Sequence, residues 1–231
     1  MELQLHQAQM GILRHLLLNR QAGFAEMQKQ VGLSSDLFNY HLSCLLKSDY
    51  LQKSAESYEL TIKGKEFANR MDTERSVIEK QAKLGVMLII EKNEAGKKYL
   101  LIQKRLKQPY YGFEGFVTGK IGWGEQILTT AERELREETG LTAKLEYHYT
   151  IHEHIYLKED GRLLEDKFFF VVGATQAKGE LISLPSGENN WVLREDFFQH
   201  EKVYYDEFEL LAMYDNGEHG FIEKEYFIEE F

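Results

Sequence analysis

The segment Gly119-Lys120-Ile121-Gly122-Trp123-Gly124-Glu125 leads through residues 126–132 into Arg133-Glu134-Leu135-Arg136-Glu137-Glu138-Thr139-Gly140-Leu141. It joins a glycine-punctuated loop to a strongly acidic helical stretch. At about 100° per residue, Glu134, Glu137 and Glu138 fall within an arc of about 100°. Leu128, Ala131 and Leu135 cluster on the opposite side, so a helix over 127–138 is expected to bury that stripe and point its acids outward. Three like charges in one patch repel each other and need compensation. Mg²⁺, a hard cation that prefers oxygen ligands and commonly binds carboxylates together with substrate phosphates, fits such a face. Arg133 lies four residues before Glu137 and can hold its carboxylate in orientation. Upstream, Gly112, Gly115, Gly119, Gly122 and Gly124 permit tight turns and close approach of the backbone to a ligand. Gly140 suits a left-handed helix stop.

Around this segment the texture is that of strands, expected over 84–91, 99–104, 145–155 and 167–174. Strands surrounding a helix predict an α/β or α+β domain. Residues 1–75 read differently. Helical spacing over 7–18 and 24–31 is followed by a third helix after the start signal Ser34-Ser35-Asp36. Two short strands, 50–53 and 58–61, flank the polar tip 54–57, and helical character returns over 64–71. The polar stretch 72–82 reads as a helical linker. The expected organisation is one domain over 1–75, a linker over 76–82 and a second domain over 83–231.

Composition narrows the function classes. The 231 residues are 43% hydrophobic and 13% aromatic, ample for two cores. The longest apolar runs, such as 86–90, fall far short of the ~18 residues that span a bilayer. The first residues lack the pattern of a secretory signal, and the single Cys44 fits a reducing compartment, so a cytoplasmic location is expected. Cys44 reads as a core thiol in helix three. Residues 1–75 carry nine basic and nine acidic side chains, so the whole net charge of −10 falls in residues 76–231. An acidic second domain is a poor phosphate-backbone binder, and any nucleic-acid contact is expected from the first.

The pattern Gly-x5-Glu-x7-Arg-Glu-apolar-x-Glu-Glu-x-Gly-apolar is met by Gly119, Glu125, Arg133, Glu134, Leu135, Glu137, Glu138, Gly140 and Leu141. It resembles the Nudix box, and the resemblance extends over roughly 83–215. It implies an α/β/α sandwich around a mixed sheet. It also implies a hydrolase that uses water to cleave a phosphoanhydride bond in a nucleoside diphosphate linked to another group. By position, Glu134, Glu137 and Glu138 would ligate Mg²⁺ or Mn²⁺, with the Gly119 carbonyl completing the site. Arg133 and Glu125 would be supports, and one of the box acids or a later carboxylate would help deprotonate the water. Glu188, Glu165 and Asp166 are candidates for that later carboxylate, Glu188 being preferred, although each also reads as a surface acid. Lys104, Arg105 and Lys120 are placed to meet phosphates. Tyr110, Tyr111, Phe113, Phe116 and Trp123 could stack on a base. The chain has Val117-Thr118-Gly119 where many members have Pro-Gly-Gly, and Tyr156-Leu157 where some ADP-ribose hydrolases have proline; ADP-ribose specificity is therefore unsupported. His152 and His154 alternate on one strand, and read as satisfied or exposed histidines rather than a zinc pair. The stretch 223–231 alternates acids with aromatics and is expected to dock on its domain or on a partner subunit.

The first domain resembles a winged helix-turn-helix. That resemblance implies a third helix entering a major groove with Ser34, Ser35, Asn39, Tyr40 and His41 near base edges, and Lys53, Lys63 and Lys65 at phosphates of double-stranded DNA. A role in assembly or substrate closure is the competing reading, because the helix is not basic. Both resemblances imply a homodimer. The expected function is a Mg²⁺-dependent pyrophosphohydrolase acting on a nucleotide-type small molecule, with an accessory winged helix and no membrane partner. The alternative is a transcription regulator whose second domain senses a nucleotide metabolite.

Overall fold

The computed structural model describes residues 5–72, 74, 77–78 and 80–231. The chain divides into two compact units, Met1–Lys80 and Gln81–Phe231.

In the first unit α1 (Gln7–Leu18) starts from a reciprocal cap: His6 accepts from the Ala8 N–H, and the Gln9 side chain accepts from the His6 N–H. β1 (Ala22–Gly23) precedes α2 (Phe24–Val31), and α3 (Ser35–Lys47) follows, beginning at the Ser34 cap position. β2 (Leu51–Ser54) and β3 (Ser57–Leu60) form an antiparallel hairpin, which β1 extends on the β3 side. α4 (Ile62–Ala68) begins two residues before the expected 64–71, because the Thr61 hydroxyl accepts from the Gly64 N–H and starts the turn. Ile12, Leu13, Met27, Phe38, Leu42 and Leu45 form the core, with Leu51 and Leu60 packed beneath the hairpin. Cys44 is half-buried rather than a core thiol, since it lies beside the Phe38–Leu42–Leu45 stripe and not on it. The expected helical linker is not observed: β4 (Met71–Asp72) pairs antiparallel with β5 (Val77–Ile78). Residues 73, 75, 76 and 79 of that linker, and residues 1–4 of the signal reading, lie outside the described residues.

The second unit contains β6 (Lys83–Glu94), β7 (Lys97–Arg105), β8 (Glu114–Gly115), β9 (Val117–Lys120), α5 (Ile127–Thr139), β10 (Thr142–Leu157), β11 (Leu163–Lys178), β12 (Gly187–Leu193), α6 (Arg194–Phe197), α7 (Glu207–Asp215) and β13 (Gly220–Ile228). The strands run in the order β12-β7-β6-β11-β10-β13, with β8 on β7 and β9 on β6. The β6–β11 and β10–β13 pairs are parallel and the others antiparallel, so the sheet is mixed. β6 explains the layering. Its continuous apolar run sends Val86, Leu88 and Ile90 to one core with Ala131 and Leu135 of α5, and Met87 and Ile89 to a second core with Phe197, Leu210 and Leu211 of α6 and α7. A strand buried on both faces carries no polar alternation. The α/β/α sandwich predicted from the sequence is thus observed. The 223–231 stretch docks on its own domain through β13. Among the described residues no helix is long and apolar enough to cross a membrane.

Candidate active site

α5 buries Thr130, Ala131, Glu134, Leu135 and Thr139. Leu128, expected in the apolar stripe, is 46% exposed, because Ile127 occupies the helix position one turn before Ala131. Glu134 does not point outward either: it is 9% exposed and lies in the seam with β9. Gly119 makes that possible, since a Cβ there would come within 2.0 Å of Glu134 Cγ.

Arg133 organises the acidic face. Its Nε and Nη2 donate to the two oxygens of Glu125 at 2.8 Å each, and Nη1 donates to Glu134 Oε1 at 2.8 Å and Glu137 Oε2 at 3.0 Å. Nη2 also reaches the Lys120 carbonyl at 3.0 Å, tying helix to loop. These hydrogen bonds, with the Gly122 N–H, hold the Glu125 carboxyl down at about 2. The charge compensation that the three-acid face required is therefore supplied in part by one guanidinium.

Glu138 is oriented from the sheet. Its Oε2 accepts from Gln103 Nε2 at 3.2 Å. Asn189 Oδ1 accepts from the same Gln103 amide at 3.2 Å, and Asn189 Nδ2 donates to the Glu138 carbonyl at 2.6 Å and the Ile182 carbonyl at 2.8 Å. Neither Gln103 nor Asn189 stood out in the sequence. Glu188 and Lys104, both expected at the site, are register partners one residue out of phase with Asn189 and Gln103, so they leave the strands on the other side. Both are exposed, and Glu188 Oε1 accepts from Asn190, two residues on, at 3.3 Å. The structure does not bring either to the acidic face.

A cavity of about 580 Å³ opens beside α5. Gly119, Lys120, Glu134, Glu138 and Gln103 line one part of it; Tyr110, Tyr204, Tyr205, Asp206 and Glu207 line another, with Glu153, Glu165, Lys167 and Phe169. Arg105 also lines it, but its guanidinium is engaged by the Lys107 and Pro109 carbonyls at 3.1 and 2.5 Å. Of the candidate stacking rings, Tyr110 and Phe116 line the cavity, whereas Trp123 is fully exposed. Of the alternative later carboxylates, Glu165 lines the cavity and pairs with Lys83 Nζ at 2.7 Å and Lys167 Nζ at 3.3 Å. Asp166 faces out from β11.

The inner wall is unusually acidic. Glu153, Asp206 and Glu207 are 1%, 4% and 2% exposed. Phe116 N–H donates to Glu207 Oε1 at 3.0 Å, made possible by Gly115, where a Cβ would meet that oxygen at 2.0 Å. Lys167 Nζ lies 3.2 Å from Glu153 Oε2 and donates to the Tyr205 hydroxyl at 3.0 Å. Glu153 Oε1, Asp206 Oδ2 and Glu207 Oε2 are buried and make no hydrogen bond among the described residues. Burial pushes Glu207 up to about 8, with the Phe116 N–H opposing and the Glu153 charge adding to the rise. Burial and the Glu153 charge likewise raise Asp206 well above the carboxylate range. One readable signal for this wall existed: Glu153 is in phase with buried Tyr149, Ile151 and Ile155 on β10.

In the first unit Ser35, Asn39 and Tyr40 are exposed on α3, Tyr40 at 63%. His41, expected with them, is buried against His6, ring centroids 4.5 Å apart, because the helix turns it toward the core. Lys63 donates to the Ser48 carbonyl at 2.7 Å and lies over the Tyr50 ring.

Sheet order, sandwich and acidic helix together define a Nudix-type α/β/α domain. A NUDIX domain model matches residues 82–214, more than half of the sequence, and the chain belongs to that family. Residues 3–71 match a domain of unknown function, DUF7347. The second unit is similar in fold to the NUDIX domain of Shewanella oneidensis NrtR, solved with ADP ribose (18% identity, TM-score 0.52, 65% of this chain and 96% of that one). It is also similar to the mutator MutT protein of Bacillus halodurans (21% identity, TM-score 0.53, 64% of this chain and 93% of that one). No curated protein matches the sequence significantly.

Proposed function

We propose that the second unit is a divalent-cation-dependent pyrophosphohydrolase acting on a nucleotide-type substrate. The observation that carries this is a single cavity whose wall holds both the box acids Glu134 and Glu138 and the unpartnered carboxyl oxygens of Glu153, Asp206 and Glu207 among tyrosines. The donor set fits the cation. Glu134, Glu137 and Glu138 offer only hard oxygen ligands on adjoining turns, and the glycine at 119 leaves room for Glu134 beside its own carbonyl. Glu134, Glu137, Glu138 and the Gly119 carbonyl would hold Mg²⁺ or Mn²⁺, which when bound polarises a phosphoryl oxygen and screens its charge.

The chain's own residues divide the remaining work. Arg133 fixes Glu134 and Glu137 in place, and Lys120 meets the phosphates at the cavity wall. Glu138, aimed by Gln103 and Asn189, takes the proton of the attacking water at its carboxylate. At the inner wall, Tyr110 and Tyr204 provide aromatic surface for a base. The unpartnered oxygens of Glu153, Asp206 and Glu207 hydrogen-bond its polar edge, Asp206 and Glu207 donating while they hold their protons, since buried polar atoms lower their free energy by finding a partner. Mass-spectrometric screening with Mg²⁺ against nucleoside triphosphates, oxidised nucleotides, nucleotide sugars, dinucleoside polyphosphates and ADP-ribose tests the reading. Cleavage should fall about 10²- to 10⁴-fold in Glu138→Gln. No turnover of any class, or turnover indifferent to that change, would refute it.

The outward face of α3, with Ser35, Asn39 and Tyr40 exposed together, favours a second role. On that reading the first unit is a winged helix that places these side chains at base edges, with Lys63 near phosphates, and the chain acts as a homodimeric regulator as well as an enzyme. Gel shifts on genomic fragments at low salt should show binding that weakens steeply as salt rises and is reduced in Asn39→Ala. Absence of any shift removes the regulator role and leaves the hydrolase intact.

A further inference from the structure

On β10, His152 and His154 alternate with Glu153 and face away from the cavity wall. His152 is in register with Glu223 on β13 and Phe168 on β11, and His154 with Glu225 on β13 and Asp166 on β11. His152 Nε2 lies 2.8 Å from Asp166 Oδ1 and its Nδ1 lies 3.1 Å from Glu223 Oε2. His154 Nε2 is 4.0 Å from the same Asp166 oxygen. One ligand atom from each of His152, His154 and Glu223 lies within 4.8 Å of the others. Two features go beyond a casual cluster. A neutral imidazole has one N–H, yet His152 faces a carboxylate at each nitrogen, so one of those contacts calls for a second proton or a metal ion. The rings are also held in place: Phe168 stacks on His152 with centroids 3.8 Å apart, and His154 packs against it at 4.1 Å. Side chains on three hydrogen-bonded strands, with one ring clamped, form a preorganised scaffold.

We propose that His152, His154, Asp166 and Glu223 form a binding site for a divalent transition-metal ion of the zinc class, separate from the α5 acids. Two imidazoles with carboxylates are the donor set that suits zinc and its neighbours, whereas the all-oxygen face of α5 suits magnesium. A carboxylate left hydrogen-bonded to the non-ligating nitrogen of His152 would orient the ring and raise its basicity, as outer partners of metal-bound histidines do. The ion would join the edge strand β13 to β10 and β11. Because binding to the folded chain alone raises its stability, zinc should also raise the melting temperature.

The test is equilibrium dialysis of the metal-stripped full chain against Zn²⁺ in excess Mg²⁺, with bound zinc counted by mass spectrometry. Glu138→Gln serves as background, so that the α5 acids contribute little. The expected result is one equivalent of zinc and a raised melting temperature in Glu138→Gln, both lost when His152→Ala and His154→Ala are added. Cobalt loaded into the Glu138→Gln chain should give a visible absorption band that zinc displaces. The proposal is overturned if Glu138→Gln binds no zinc, or if the histidine variant keeps it. Asp166→Asn with Glu223→Gln gives a second variant that leaves both rings in place, and it should weaken zinc binding without altering the circular dichroism. The outcome is independent of hydrolysis, since no substrate is present.

Discussion

Asn189 shows how much of this site is built from residues outside the box. It is 5% exposed, and its amide binds Gln103 together with the carbonyls of Glu138 and Ile182. Asn189→Ala should therefore act twice. Two part-buried carbonyls lose their donor, which costs about 1 kcal/mol, readable as a lower urea midpoint. Glu138 loses its aim, so turnover should drop about 10- to 100-fold with a smaller change in KM. A variant that loses stability but retains turnover would show that Gln103 alone positions Glu138. The inner carboxyls have a different signature. Glu207→Gln keeps the Phe116 contact and fixes the neutral, donating form, so KM should change little below about pH 8 and lose the pH dependence that the unaltered chain shows above it, with turnover changing less.

Among the elements, the β6–β7 hairpin and α5 are set by local chemistry. Glu94 pairs with Lys97 across a two-residue turn, Ala95-Gly96, with φ of 50° and 76°. Such turns match the twist of the strands, but they place Ala95 in a region that favours asparagine and glycine. Ala95→Asn should stabilise the domain by about 0.5–1 kcal/mol, measured as a higher melting temperature with hydrolysis unchanged. The acidic helix was legible as far as its period and its glutamates. Glu134 turned inward because Gly119 on a different element vacated the space, which helical spacing does not encode.

For the whole molecule, the buried acids link stability to pH. Glu207 is pushed up to about 8 and Asp206 is also raised, both mainly by burial. A carboxyl with a raised folded value holds its proton more tightly when folded. Its stabilisation is full below the unfolded value of about 4.5 and is lost as pH climbs through about 8. The melting temperature should fall between pH 5 and about pH 9, and Glu207→Gln should flatten that decline. Bound substrate donating to these oxygens should shift the same profile.

Local sequence was enough for what depends on neighbours along the chain: the strand textures of β6 and β11, the acidic stripe of α5 and the start of α3 after Ser34. Period, capping and composition act within a few residues, so they can be read without a fold. Tertiary structure alone decided which carboxylates meet. It sent Glu188 and Lys104 away by strand phase, buried His41, and drew Gln103, Glu153, Asp206 and Glu207 from distant strands and the start of α7 to one cavity, with Asn189 behind Gln103. Side-chain convergence depends on register and layer packing between segments up to a hundred residues apart, and a one-residue shift in register reverses which face a side chain occupies.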